Sequence, residues 1–592
     1  MMRIATRPLL QAVSLAALLT PVAASAQPTT PSVPTREEVL REELDERLRD
    51  ADDALDLSSA MQRAPCPLAA EQFADISLTL SQARFRGVER VGSDLLAPAW
   101  QPYVGQEIPL SVVCDIRDRA ATILRNAGYV ASVQVPVQTI ESGVVEFDVV
   151  VARLTGLVVR GDAGPAGRQV ERYFAQLRGQ DVFRTDRAER YLLLARDLPG
   201  LDVRLSLARD ASADSLPGDL VGVVDIINTP VEGDVAVQNY GTEAVGRIGG
   251  QARVQFNGLT GLGDFTELSV FSTADFDEQY VVAGRHEFAI GKDGLRAGVS
   301  ATHAWTKPDV PGPDVFDART FIASAYGSYP LVRRQERSLF LRGGLDFIDQ
   351  DIEFSDLPLA EDKLRVAFLA LEYLTTDRAS IQGRGGYSVA EPRLRGSARL
   401  EVRQGLDILG ASEDCGPNLL RCAPASVVPI SRLVADPTAF VLRGEIATDY
   451  RPAPDWKVSL RPRFQYSPDS VLPYEQFSGG NYTVGRGYDP GSVVGDSGLG
   501  GQVELAYGSL LPSDPKGVAF QPFAFFDTVS TWIENDPTDP FTLNSVGGGV
   551  RVNYARRVFL EVLGAVPLER APLQTRRGDA RLLVNLAVRL GG

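Results

Sequence analysis

The sequence predicts α+β modules followed by a transmembrane antiparallel β-barrel of about 16 strands. Three features support this prediction: a secretory leader, two successive α+β patterns before residue 230, and alternating apolar and polar positions from there to the C-terminus. A chain of 592 residues is long enough for several domains. After the leader no run of about 18 apolar residues occurs, so no transmembrane helix is predicted.

The N-terminus has the three parts of a secretory signal peptide. Arg3 and Arg7 supply positive charge, Leu9–Val22 is apolar, and Ala24-Ser25-Ala26 offers a small-residue cleavage site. Because the apolar stretch is short and interrupted by polar residues, a membrane anchor fits it less well. We therefore predict a signal peptide over residues 1–26.

Residues 27–62 form a leader that contains one charged helix. Thr35 and Glu38 have the spacing of a capping box, and apolar residues then recur at helical spacing to about Asp53. The apolar stripe is narrow and the other faces carry charge. This pattern fits both a solvated helix and a helix docked against another surface, so both readings stay open.

The sequence pattern predicts two small domains that mix strands and helices, one over residues 63–152 and one over residues 153–229. In the first, Leu110–Asn126 has helical periodicity and Val144–Val151 reads as a strand. The second repeats the pattern and includes a clearly alternating strand at Leu201–Leu207. The open sheet edges of such modules can pair with an extended polypeptide.

Residues 230–592 lose helical periodicity and continue as short alternating segments, the first of which we assign at Arg253–Phe256. In the last, Arg581–Leu590, every second residue is Leu or Val, whereas Arg581, Asn585 and Arg589 share the other face. Lipid outside and a wet lumen inside produce this pattern. A soluble sandwich is the alternative, but its dry interior would reject so many arginines.

Four cysteines occur, an even number that favours disulfides in an exported chain. Sequence neighbourhood favours Cys66 with Cys114 and Cys415 with Cys422, one of the three connectivities that four cysteines allow. The second pair would staple Ile408–Asp436, one of the longest connections and an expected extracellular loop.

Composition and motifs argue against several functional classes. The net charge of −16 is opposite to what nucleic-acid binding requires. His286 and His303 lie in predicted strands without a nearby ligand or nucleophile, so we expect wall residues, no metal site, no cofactor and no enzyme. Trp305, Trp456 and Trp532 lie near strand ends, as interfacial belt residues do.

The most informative motif is the glycine-rich segment that ends in Arg486-Gly487-Tyr488. Glycines on both sides allow the backbone to bend, and the best candidate partner for the arginine is Asp527, at the end of a strand that starts at Val518. A charge-assisted contact between them would hold a long loop inside a partly dry lumen. The alternative is that Arg486 only lines a wet channel.

The sequence resembles the two-partner secretion transporters in four features: a signal peptide, a charged helix, two modules and a barrel with a Gly-Arg-Gly-Tyr tip. These transporters are the ShlB/FhaC/HecB-type haemolysin secretion/activation proteins of the POTRA-barrel insertase superfamily. The resemblance covers essentially the whole mature chain and is most specific at residues 477–488 and at Gly495-Asp496-Ser497-Gly498. It implies that the modules are periplasmic POTRA domains and that the first helix can plug the lumen. It also implies that Arg486 meets Asp527 inside the barrel.

Three positions depart from the family pattern. Gly485 separates Val484 from Arg486, Val529 stands where a glycine commonly follows the wall aspartate, and the chain ends Leu590-Gly591-Gly592 instead of on an aromatic residue. The last departure concerns the barrel assembly signal.

The resemblance implies a monomeric outer-membrane transporter, in contact with lipid, that recognises an unfolded partner exoprotein in the periplasm. It would export this partner through its pore to the cell surface or the medium. One alternative is an outer-membrane protein assembly factor of the same superfamily, which typically has more POTRA domains and no plug helix. A porin is the other, and two N-terminal modules argue against it.

Overall fold

The computed structural model describes residues 35–40, 66, 68, 73, 75–140, 142–178, 181–309, 316–416, 422, 427–534, 540–572 and 574–591. The predicted signal peptide and the predicted end of the leader helix near Asp53 lie outside these residues. Among the residues described, no helix is both long enough and apolar enough to cross a bilayer.

The first module packs one long helix on a small sheet. Its elements, which follow the short leader helix α1 (Arg36–Leu40), are β1 Ser77–Thr79, β2 Gln82–Arg86, α2 Ala97–Trp100, β3 Glu107–Pro109, α3 Val112–Asn126, β4 Ala131–Gln134 and β5 Val144–Val151. The sheet order is β2-β5-β4, and β1 pairs separately with β3. Ile116 and Leu124 of α3 are buried with Phe147 of β5 in one apolar cluster. The alternation of β5 therefore supplies one face of this core.

The second module has a similar design. Its elements are β6 Arg153–Gly161, α4 Gly167–Phe174, α5 Thr185–Arg196, β7 Leu201–Arg209 and β8 Asp219–Asn228. The sheet order is β6-β8-β7, so β6 and β7 are the sheet edges. Phe174 and Leu192 of the two helices and Val224 of β8 are fully buried in one cluster.

Cys66 and Cys114 form a disulfide, as predicted, across a sequence separation of 48 residues. It ties the chain before β1 to helix α3, which begins at Val112.

We expect Cys66→Ser/Cys114→Ser to destabilise the first module by about 4 kcal/mol, because the unfolded chain regains the entropy of a loop of that length. Hydrogen exchange of the full-length protein should then accelerate in α3 and not in α5. Equal exchange in both proteins would contradict a stabilising role.

Residues 231–590 form a closed antiparallel β-barrel of 16 strands, which confirms the predicted fold class. The barrel strands are β9 Val231–Gln238, β10 Gly249–Asn257, β11 Phe265–Thr273, β12 Gln279–Ile290, β13 Leu295–Thr306, β14 Phe316–Arg333, β15 Arg337–Phe354, β16 Leu357–Thr376, β17 Leu394–Gly405, β18 Phe440–Ala453, β19 Trp456–Tyr466, β22 Ser497–Tyr507, β23 Val518–Trp532, β24 Phe541–Tyr554, β25 Val558–Pro567 and β26 Arg581–Leu590. A short helix, α6 (Arg378–Ile381), lies between β16 and β17. Strand β26 pairs with β9 and closes the barrel.

The sequence analysis missed the first of these strands. Strand β9 follows the second module after only two residues, and Val231, Val235 and Val237 expose their side chains on the outside of the barrel. The Glu232-Gly233-Asp234 segment interrupts its apolar pattern, which explains the omission.

The outer surface of the barrel is apolar, in agreement with the predicted alternation. Leu582, Leu586 and Leu590 of β26 are exposed, whereas Asn585 on the opposite face is buried. The belt candidates Trp305, Trp456 and Trp532 are exposed at the ends of their strands. The two histidines are wall residues of β12 and β13, where His303 stacks on Trp305 with ring centroids 4.0 Å apart.

The second module is fastened to the turns at one end of the barrel, here called the module end. Arg333 at the end of β14 holds Asp197 with contacts of 2.6 Å and 2.8 Å. Arg190 of α5 donates to the backbone oxygen of Pro330, and Gln169 of α4 donates to that of Gly291. These contacts fix the second module against the module end of the barrel.

Two long connections lie at the other end of the barrel, here called the outer end. Residues 406–439 join β17 to β18 and contain the second predicted disulfide, Cys415–Cys422; we call them the stapled loop. Residues 467–496 join β19 to β22 and contain the Arg-Gly-Tyr motif; we call them the tip loop. The tip loop includes a short hairpin of β20 Phe477–Gly479 and β21 Val493–Gly495.

Candidate functional site

The tip loop folds back into the barrel and brings Arg486 against Asp527. The guanidinium donates to both carboxylate oxygens, Nη2 to Oδ1 at 2.7 Å and Nε to Oδ2 at 3.0 Å. The backbone N–H of Arg486 donates to the same carboxylate at 2.9 Å. Asp527 is completely buried. We call this three-bond contact the clamp; its geometry is that of a strong bidentate ion pair.

The alternation of β23 aims Asp527 into the lumen. Phe525 and Asp527 face inward, whereas Phe526 between them is exposed on the outer surface. The Arg486 guanidinium lies 3.6 Å from the centroid of the Phe525 ring, so the arginine is both paired and stacked. Asp527 lies within β23, which continues to Trp532, and not at the end of a strand as predicted.

The clamp continues into a chain of alternating charges along the barrel wall. Arg486 also donates to Glu504 of β22 at 3.0 Å, and Glu504 accepts from Arg551 of β24 at 2.9 Å. Arg551 in turn donates to Glu561 of β25 at 2.6 Å. Arg486 and Arg551 therefore each lie between two carboxylates, and Glu504 lies between the two arginines, as burial of these charges requires.

Gly487 and Tyr488 fit the motif tightly against strands β24 and β25. A Cβ at Gly487 would lie 2.8 Å from the Ser545 Cβ and 2.9 Å from the Pro567 nitrogen, so only glycine fits without movement. The Tyr488 hydroxyl donates to the backbone oxygen of Asn544 at 2.8 Å and accepts from the N–H of Glu569 at 3.0 Å.

An apolar layer beneath the motif accounts for two departures from the family pattern. Val529 is fully buried and packs in one cluster with Phe477 and Val484 of the tip loop. Gly485 has a φ of +118°, which lets the chain turn from Val484 to Arg486. Val529 therefore contributes contact area to the docked loop where a glycine would not.

The part of the tip loop before β20 has a second charged anchor. Glu475 is buried and accepts from Arg403 of β17 at 2.8 Å and from Arg443 of β18 at 2.6 Å. Arg403 also contacts Asp346 of β15 at 2.9 Å. Two arginines of the wall thus hold one carboxylate of the loop, on other strands than those that hold the clamp.

Helix α1 lies inside the barrel beside the tip loop. Its predicted capping box is confirmed: the Thr35 N–H donates to Glu38 at 2.8 Å and the Glu38 N–H donates to the Thr35 hydroxyl. Glu37 accepts from Arg463 of β19 at 3.1 Å and from the Ser478 hydroxyl of the tip loop at 2.9 Å. The described part of the leader helix is therefore docked and not solvated.

The tip loop also contacts the strands that close the barrel. Gln238 of β9 donates to the Tyr482 hydroxyl at 2.7 Å, and Asn481 donates to the backbone oxygen of Tyr240 at 2.7 Å. On the other side of the closure, Arg581 of β26 pairs with Asp489 at 2.6 Å. One loop therefore contacts both partners of the β26–β9 pair.

Sequence reasoning identified Arg486 and Asp527 but missed most of their surroundings. Glu504 and Arg551 lie on the inward face of strands whose outward residues are apolar, and that alternation was a readable signal. The Glu475 anchor had no comparable signal, because it depends on the path of the tip loop across the lumen.

Two family models match this sequence. Residues 376–552, which include the tip loop and Asp527, match the haemolysin secretion/activation protein ShlB/FhaC/HecB model, and residues 78–151 match the ShlB-type POTRA domain. Residues 376–552 are therefore similar to the ShlB/FhaC/HecB secretion/activation proteins. The first module is thus a POTRA domain, and the barrel is an outer-membrane barrel with its module end in the periplasm.

Known relatives and solved structures are more distant. Two heme/hemopexin transporter proteins HuxB from strains of Haemophilus influenzae are 27% and 25% identical over 217 residues, which are 36% of this chain and 38% of each relative. CdiB from Escherichia coli superposes with a TM-score of 0.71 at 19% identity, over 93% of this chain and 97% of that one. CdiB from Acinetobacter baumannii has a TM-score of 0.64 at 15% identity, over 93% and 96%. At these identities the structures establish the shared fold of modules and barrel.

Proposed function

We propose that this chain is the outer-membrane transporter of a two-partner secretion system, which exports one unfolded exoprotein from the periplasm through its barrel. The observation that carries the proposal is the clamp, a loop arginine bound to a buried wall carboxylate inside a barrel with docked periplasmic modules. The matched family supports it, since its members are secretion/activation proteins. We expect a monomer without enzymatic activity or cofactor.

The exoprotein would bind first to the POTRA domains by strand addition. Strand β6 is an edge of the second module, and Val158 and Val159 on it are exposed. An edge strand offers unpaired backbone groups, which an extended polypeptide can pair with regardless of its side chains. The second module is docked on the module end of the barrel, which suits transfer into the lumen.

Transport would then require the lumen to open. Helix α1 and the tip loop both lie inside the barrel, and each is held by charged contacts to wall residues such as Arg463 and Asp527. An incoming polypeptide that binds only the open state would shift the equilibrium towards it. Folding of the exoprotein outside the cell would make passage directional.

The alternatives fit the structure less well. A porin needs a free channel, whereas this lumen holds a helix and a doubly anchored loop. An assembly factor of the same superfamily shares the fold, and the helix docked in the lumen favours export over it.

The first experiment is a comparison of the secreted and outer-membrane proteomes of cells with and without this chain. We expect the deletion to remove one large protein from the medium and to leave other outer-membrane barrels at normal levels. Re-expression of the wild-type chain should restore that protein.

The same comparison separates the alternatives. Broad loss of outer-membrane barrels would replace the transporter with an assembly factor. Unchanged proteomes, combined with altered uptake of small solutes, would replace it with a porin.

A further inference from the structure

The stapled loop also enters the lumen, at the outer end of the barrel. Cys415 is almost completely buried, and it belongs to the same apolar cluster as Ile430 of this loop and Ile348 of the barrel wall. The cluster also includes Tyr474 of the tip loop and Val39 of helix α1. Cys415 and Ile430 of the stapled loop therefore pack with the other two elements inside the lumen, whereas Ile408, Leu409, Val427 and Val434 of the same loop are exposed.

The stapled loop also covers an open strand edge. Strand β16 pairs with β17 only from Val366 onward, so its outer half has no strand partner on that side. Backbone groups of the loop take the partner's place. The Leu406 N–H donates to the Arg365 oxygen at 2.7 Å and the Ser412 N–H to the Lys363 oxygen at 2.8 Å. The loop is thus fastened along the wall by ladder-like hydrogen bonds.

Asp496 connects the stapled loop to the base of the tip loop. Its carboxylate is buried and accepts from Arg432 of the stapled loop at 2.9 Å. It also accepts the N–H groups of Val471, in the tip loop, and of Glu534, after β23, at 3.0 Å and 2.9 Å. One carboxylate therefore joins three connections at the outer end. Removing it would leave the Val471 and Glu534 N–H groups without this acceptor and Arg432 with only the backbone oxygen of Val471.

We propose that the stapled loop is a second closure of the pore, located at its outer mouth and held shut by the Arg432–Asp496 contact. The Cys415–Cys422 disulfide, across a sequence separation of 7 residues, links the buried Cys415 covalently to Cys422, so these two residues leave and re-enter the outer end of the lumen together. Because Asp496 also anchors the tip loop, withdrawal of the tip loop loosens this closure. The inference rests on the proposed function, since a closure matters only if a polypeptide passes through the lumen.

The test is the conductance of the purified full-length protein in planar lipid bilayers. We expect Arg432→Ala to raise the open probability about tenfold, since it removes a charge-assisted hydrogen bond to a buried carboxylate. Asp496→Asn should act in the same direction. Arg577→Ala removes an exposed arginine of another outer-end connection and should leave conductance unchanged.

Reduction tests the disulfide separately. Dithiothreitol added on the side of the outer loops should increase the frequency of openings, and Cys415→Ser/Cys422→Ser should reproduce that increase without reductant. The matched control, Cys66→Ser/Cys114→Ser, lacks the disulfide of the first module and should keep the full response to dithiothreitol.

Two results would overturn the second closure: conductance that is equal in the wild type, Arg432→Ala and Asp496→Asn, or a reductant response that disappears with Cys66 and Cys114. Heat-dependent mobility of the folded barrel in gels identifies any variant that fails to fold. These outcomes are independent of the export assay. If the wild type exports the exoprotein but no variant alters conductance, the closure alone is rejected. If the variants alter conductance as expected but the wild type exports no protein, the transporter function alone is rejected.

Discussion

Replacing Asp527 with alanine is expected to reduce export to a few per cent of the wild-type level or less while the barrel still folds. Asp527→Ala leaves the Arg486 guanidinium and its backbone N–H without their shared acceptor. Breaking a buried ion pair on one side costs about 3–5 kcal/mol, which corresponds to a shift of roughly a hundredfold to several thousandfold in the docking equilibrium of the loop. A loop that is rarely docked cannot couple polypeptide entry to an ordered opening.

The measurement is the amount of the exported protein in the medium, normalised to the folded transporter in the outer membrane. Glu287→Gln is the matched control. Glu287 is also a luminal carboxylate, though half-buried, and its partners Arg296 and Tyr326 both belong to the barrel wall. This control should export nearly as well as the wild type, which would separate loss of the clamp from general loss of luminal charge.

A second variant tests the pairing itself. Arg486→Lys retains the charge but cannot donate two parallel bonds, so we expect export between those of the wild type and Asp527→Ala. Wild-type export from a folded Asp527→Ala barrel would show that transport does not need the clamp.

The barrel could be predicted because its strands obey one simple rule over most of their length. In Arg581–Leu590 every second residue is an outward Leu or Val, and Asn585 faces the lumen. In β22 the outward Leu499, Val503 and Leu505 likewise alternate with the inward Gln502 and Glu504. Strand β9 escaped prediction because Glu232, Gly233 and Asp234 occupy its first half. Closure of the barrel specifies that strand, since β9 must pair with both β10 and β26.

The contents of the lumen could not be predicted to the same extent. The leader helix has a narrow apolar stripe and charge on its other faces. Such a helix is stable both in solvent and in a polar lumen, so its sequence could not distinguish the two environments. In the structure, Glu37 meets a luminal arginine, which makes the lumen the environment of the described turn. Likewise, Glu475 and Asp496 gain their partners only through the path of the tip loop and the folding of the stapled loop.

The motif pair was predictable for a different reason. The flanking glycines singled out Arg486, Asp527 was its best candidate partner along the sequence, and the family resemblance implied the same contact. The ladder from Glu504 to Glu561 depends on which strands become neighbours, a property of the closed barrel and not of any local segment. The physical need to neutralise each buried charge explains why the ladder extends beyond the two motif residues.

Gly487→Ala is expected to undock the tip loop without removing any charge. The added methyl group would lie 2.8 Å from the Ser545 Cβ and 2.9 Å and 3.1 Å from the Pro567 N and Cα atoms. Because two of these atoms are backbone of a barrel strand, the loop must move away. Overpacking of this kind costs about 1–3 kcal/mol, roughly a tenfold to a hundredfold loss of docking.

Trypsin reports this displacement directly, because it cleaves after arginine and Arg486 precedes the substituted residue. In the wild type, Arg486 lies clamped inside the barrel and should resist cleavage. In Gly487→Ala, mass analysis of the folded protein should find a cut between residues 486 and 487. Gly564→Ala is the control, since a methyl group there meets nothing within 4 Å. That variant should stay uncut at Arg486 and export normally.

Protection of Arg486 in Gly487→Ala would mean that the barrel wall yields to the methyl group, and the close fit at residue 487 would then have no role in docking. Cleavage together with normal export would have a different meaning. It would show that a polypeptide can pass whether or not the loop is docked, which would assign the clamp to the stability of the closed barrel. Cleavage together with lost export is the expected result, because steric displacement and removal of the Asp527 carboxylate then reach the same undocked state by independent routes.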